Sequence, residues 1–143
     1  MDTQMETMLA GGQFKKLLDV RIAELRQRYD MKKAELEILY FLSRCGGHNT
    51  STDIHYQLMM NRGHISQAVE SLCRRRYIVA IPDKDDRRYV HYELLNSAQK
   101  IVEDMKKMRE DMNEKILEGI SEKELDIFKN VSMKIKNNIE KML

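Results

Sequence analysis

The stretch IPDKDDRRYVHYELL, residues 81–95, holds the chain's only proline, three aspartates, one lysine and two adjacent arginines. Tyr89, His91 and Glu93 alternate with Val90, Tyr92 and Leu94, the two-residue period of a strand. Ile78 and Ala80 carry the same period before the turn at 82–86. The spacing therefore predicts a tight charged hairpin.

Everywhere else the apolar period is helical. Phe14, Leu17, Leu18, Ile22 and Leu25 lie on one face of a helix over 13–29. In KKAELEILYFLSRCGG a second helix turns Leu36, Leu39, Tyr40 and Phe41 inward, and Gly46 or Gly47 supplies the left-handed residue that stops it. Thr50 caps a short third helix, with Asp53 in its first turn and Ile54 and Leu58 on the buried side. Asn61 caps a fourth, in which Ile65, Val69 and Leu72 face inward. Its first turns leave Arg62, His64, Ser66 and Gln67 on or near the outward side.

After the hairpin, Ile101, Met105, Met108, Met112 and Ile116 make a stripe longer than one small core needs. Gly119 ends that helix. Ser121 and Glu124 form a reciprocal capping box for the last one, whose apolar face carries Leu125, Phe128, Ile135, Ile139 and Met142. The expected fold is mostly α with a small β-wing, divided into an N-terminal helix (1–32), a central lobe (33–95) and a C-terminal helical region (96–143).

A chain of 143 residues with 42% hydrophobic and 34% charged residues has room for one domain with its own core. The net charge of +2 is too small to announce a nucleic-acid partner, so any basic footprint must be local. The two cysteines, Cys45 and Cys73, form no CxxC pair and suit a reducing cytoplasm. MDTQMETMLAGG lacks the basic and apolar regions of a signal peptide, and no apolar run of membrane-spanning length occurs.

Known catalytic and nucleotide-binding motifs are absent from the sequence, so no enzyme and no cofactor are expected. His48, His55, His64 and His91 lack metal-site spacing, although His55 and His91 are the pair a fold would bring together. Cys73 precedes three arginines, the setting of a redox-sensing thiolate, but a half-buried small side chain is the plainer reading. Met59, Met60, Met105, Met108 and Met112 fill a core or line an adaptable pocket.

The order helix, helix, short helix, polar-faced helix, strand, charged turn, strand is what a winged helix-turn-helix requires. Arg62, His64, Ser66 and Gln67 then match base edges in a major groove, Arg62 being the candidate for guanine. In the turn, Lys84, Arg87 and Arg88 reach backbone phosphates or a narrow minor groove, and Asp83, Asp85 and Asp86 brace the arginines and the turn backbone.

DDRRYVHYELLNSAQKIVEDM resembles the wing and following helix of the multiple antibiotic resistance regulator (MarR) family. ILYFLSRCGGHNTSTDIHYQLMMNRGHISQAVESLCRRRYI is similar to that family's preceding helices in register, over roughly residues 10–142 of the chain in all. Arg76 stands where the family has glycine, His55 where it has alanine, and Leu95 where it has threonine, which moves the next helix cap to Asn96 or Ser97. The resemblance implies a homodimer built from the first and last two helices that binds double-stranded DNA. It also implies repression of transcription and release by a small aromatic or phenolic effector. A helical adaptor without DNA binding and a redox- or metal-responsive switch on the same scaffold are the alternatives.

Overall fold

The computed structural model describes residues 11–143; the first ten residues of the expected N-terminal region lie outside it. In chain order the elements are α1 (Gly12–Tyr29), α2 (Lys33–Leu42), α3 (Ser51–Leu58), α4 (Arg62–Arg74), β1 (Ile78–Pro82), β2 (Val90–Leu94), a 3-10 turn (Asn96–Ala98), α5 (Gln99–Ile116) and α6 (Glu122–Glu140). They divide into two compact units, one ending at Arg109 and the other Glu110–Leu143.

The local signals explain most boundaries. Thr50 Oγ1 accepts from the Asp53 amide while Asp53 accepts from the Thr50 amide. Asn61 Oδ1 accepts from the His64 amide at 2.8 Å. Ser121 and Glu124 close the expected reciprocal box, which holds the Glu124 carboxyl below its usual range through the Ser121 amide. Gly11, Gly46 and Gly119 are left-handed among the described residues, and Gly47 is not.

The first unit has one core. Ile22 and Leu25 of α1, Leu36, Ile38 and Leu39 of α2, Ile54, Ile65, Leu72, Ile78, Ile101 and Met105 pack together. α2 contacts α1, α4 and β2, so Ile38 is as buried as Leu36, while Tyr40 and Phe41 are only half-buried. Ile101 and Met105 close the same core, so the first half of the α5 stripe serves the lobe rather than a separate dimerisation surface.

β1 and β2 form an antiparallel ribbon pairing Ile78 with Leu94 and Pro82 with Val90. Pro82, which lacks an amide proton, sits at the ribbon's end. The entry to α5 differs from expectation. Neither Asn96 nor Ser97 caps it; Leu95 occupies the cap of the 3-10 turn without a side-chain bond, and the Ser97 hydroxyl donates to the Arg76 carbonyl at 2.5 Å.

Arg76 has φ +62°, the left-handed conformation that the family's glycine would adopt there without strain. Arg76→Gly should therefore stabilise the protein by about 1 kcal/mol, raising the Tm by roughly 3 °C. A calorimetric scan showing a lowered Tm would contradict this.

α4 is held from behind by its C-terminal end. Arg75 donates to the carbonyls of Asp30 and Tyr29 at 2.8 and 2.9 Å, and its guanidinium lies 3.9 Å from the buried carboxylate of Glu35. Glu35 also accepts from the Ser71 hydroxyl at 2.9 Å and the Lys32 amide at 3.0 Å, so this buried charge is paired and bonded. At the far side of Tyr29, its hydroxyl, Arg28 and Lys100 converge on Asp104 of α5.

Candidate nucleic-acid interface

The four residues expected to read bases are all exposed on the first two turns of α4. They sit at the positive end of the helix dipole, next to the Asn61 cap. They fall on two flanks. Arg62 and Ser66 line a small cleft of about 170 Å³ with Ser51 and Tyr92, on the α3 and β2 side. His64 and Gln67 line a larger groove of about 810 Å³ on the α1 and α2 side. The face is wide enough to present both edges of the helix.

Acidic side chains set the geometry of the wing. Asp83 Oδ2 accepts from the amides of Asp85 and Asp86, both at 3.0 Å, and the Asp83 amide donates to the Tyr89 carbonyl at 2.9 Å. Asp83 Oδ1 meets His91 Nε2 at 2.7 Å across the hairpin. Since a carboxylate only accepts, that ring nitrogen carries a proton. The other, Nδ1, lies 2.6 Å from Oδ1 of Asn49, a buried residue whose carbonyl also takes the Tyr92 amide. The wing is thereby tied to the loop before α3.

Bracing falls to Asp83 and Asp86. Contrary to expectation, Asp85 contributes only its amide, because the turn directs the Asp83 carboxylate onto that amide and leaves the Asp85 side chain exposed. Asp86 holds Arg88 with a forked pair, at 2.8 Å to Nη2 and 3.0 Å to Nε. Lys84 and Arg87 are exposed, and no described residue pairs with either. Of the three wing cations, Arg88 is thus preoriented and two are free.

The His91 bond holds the Asp83 carboxyl below its ordinary 3.8, and the Arg88 fork lowers Asp86 likewise. A depressed carboxylate contributes its bracing fully above the unfolded value and loses it as pH falls through the folded one. The wing should therefore keep its shape down to about pH 4 and loosen only below it. NMR shifts of the Asp85 and Asp86 amides check this, and loosening already at pH 6 with Asp83 and Asp86 still ionised would refute it.

Other chemistry fares less well. Burial pushes both the Cys45 and Cys73 thiols up, the opposite of what a sensing thiolate needs. His55 Nδ1 faces the Met60 carbonyl at 2.7 Å, closing the turn after α3, where Met59 is left-handed. That bond accounts for a polar residue at the family's alanine position. His55 and His91 are thus occupied separately, and among the described residues no three His, Cys, Asp or Glu side chains are arranged to hold a metal ion. No helix among them is long and apolar enough to cross a membrane.

A further cleft of about 430 Å³ opens between α2, α3 and α5. Tyr40 lies on its wall between two guanidinium groups, Arg44 at 5.0 Å and Arg109 at 4.9 Å from its ring centre. Arg109 is paired with Glu37 at 2.9 Å, yet its Nε is buried with no hydrogen-bond partner among the described residues. Nothing in the local sequence pattern signals this cleft, because Arg44 and Arg109 lie 65 positions apart and meet only through the Tyr40 ring.

Residues 31–98 match the family model of a winged helix DNA-binding domain. Among solved structures, FabT of Streptococcus pneumoniae in complex with DNA is 23% identical, with 99% of this chain and 100% of that one covered and a TM-score of 0.71. MepR of S. aureus in its DNA-binding conformation is 20% identical over 89% of this chain and 93% of its own, with a TM-score of 0.76. A MarR protein from Peptoclostridium difficile is 13% identical, covering 99% and 91%, with a TM-score of 0.80. No protein of curated function matches the sequence. Residues 31–98 thus match a winged helix domain, and the chain has the fold of these MarR-type structures.

Proposed function

We propose that this chain regulates transcription as a homodimer in the cytoplasm, repressing from a pseudo-palindromic operator. Arg62, His64, Ser66 and Gln67 read bases, Arg62 preferring guanine. Lys84, Arg87 and Arg88 grip backbone at the wing, with Asp83 and Asp86 shaping it. The observation that carries this reading is the exposed, donor-rich first half of α4, backed by Ile65, Ala68, Val69 and Leu72 in the core. FabT and MepR, which share the fold, are known bound to DNA or in a DNA-binding conformation.

The region from the last turns of α5 onward, with α1, is assigned to dimerisation. Release is assigned to a small aromatic or phenolic ligand in the Tyr40 cleft. Its support is an aromatic wall flanked by two cations, with the orphan Arg109 Nε as a spare donor. Such a ligand weakens operator binding only by preferring a lobe spacing that does not fit DNA.

Selection of bound duplexes from a random pool tests the whole. The expected result is a palindrome with half-sites about one duplex turn, roughly 10 base pairs, apart. No enrichment at low ionic strength would overturn the proposal.

A further inference from the structure

A helix lying in the major groove, about 12 Å wide, is flanked by a phosphate strand on each side. The cations of the wing lie on one side of α4 only. On the other flank, the groove that holds His64 and Gln67 is walled by Arg26 near the end of α1, Lys32 and Lys33 at the start of α2, and Arg74 at the end of α4. Three of these cations, Arg26, Lys32 and Arg74, are exposed; Lys33 is half-buried and paired with Asp19 at 2.5 Å.

Charges on this wall do not cancel. Glu35 faces inward to Ser71 and Arg75, and Glu70 stands 4.0 Å from Arg74 in an exposed pair that contributes little. Lys32 has no acidic partner among the described residues. Its position is fixed all the same, because its amide is held by Glu35, which also holds Ser71 of α4. Glu35 thereby links the start of α2 to the base-reading helix.

We propose that Arg26, Lys32 and Arg74 form a second phosphate-binding shelf, which grips the DNA strand opposite the one held by the wing. This rests on the DNA-binding reading above and adds residues of α1 and α2 to the interface. Phosphates are the same at every base pair, so the shelf adds affinity and register without specificity.

The test is the salt dependence of binding by the full chain to its selected duplex and to a random duplex. Removing one phosphate-binding cation should flatten the slope of log K against log salt by about 0.9. Arg26→Ala with Lys32→Ala, which takes four cations from the proposed dimer, should flatten it by roughly 3.6 for both duplexes, leaving their affinity ratio unchanged, and Lys32→Arg should keep the native slope. Lys107→Ala, a removal of exposed charge in the middle of α5, should leave the slope alone. An unmoved slope in the double variant, or an equal drop with Lys107→Ala, overturns the shelf while DNA binding stands. Failure of the native chain to bind any duplex removes both readings.

Discussion

Arg62→Ala should reduce the preference for operator over random DNA by about 10- to 100-fold while leaving the salt slope close to native. The reason is positional. Arg62 is the first residue of α4, its side chain is exposed beside Ser66, and no described acid neutralises it. A bidentate arginine on guanine is worth about 1–3 kcal/mol of discrimination against the wrong base. Asn61, not Arg62, caps the helix, so the substitution leaves the helix start intact. Arg87→Ala makes the contrast, because losing a wing cation from phosphate in each protomer weakens operator and random duplex alike and flattens the slope by about 1.8. Competition binding at two salt concentrations separates the two variants. If Arg62→Ala weakened binding equally for every sequence, its base-reading role would be refuted.

What the sequence made legible was whatever is decided within a few residues. The caps at Thr50, Asn61 and Ser121 each involve a partner three positions away, and all three stand where the pattern put them. The hairpin and the exposed side of α4 followed from period alone. Choices made across the fold were hidden. Three aspartates in one turn look equivalent in sequence, and only the position of His91 on the opposite strand selects Asp83 as the brace. Arg74, Arg75 and Arg76 read as one basic run, yet Arg75 turns back to carbonyls 45 and 46 positions away, Arg76 takes a glycine's backbone, and Arg74 stays at the surface. Glu35 is another such case: its helix period does not reveal that Ser71 and Arg75 meet its carboxylate inside the lobe.

Phe128→Glu should convert the proposed dimer to a monomer and weaken operator binding by about 10²–10⁴-fold, the advantage that two linked reading heads have over one. α6 buries none of its residues in the single chain, and Phe128, Val131 and Ile139 stand 59%, 47% and 53% exposed. Leu125, Phe128, Ile135, Ile139 and Met142 recur at helical spacing, so this surface is one continuous stripe rather than scattered residues. Monomeric soluble proteins rarely leave such a patch in water, and a two-fold partner offering the same stripe would cover it. The lobe's own core lies wholly before Arg109, so a charge at position 128 leaves the winged domain folded. Unchanged unfolding of the lobe by circular dichroism, together with halved mass in sedimentation, is therefore the expected signature. Native chain that sediments as a monomer, or a Phe128→Glu variant that stays dimeric with full affinity, would show that this stripe does not join two copies.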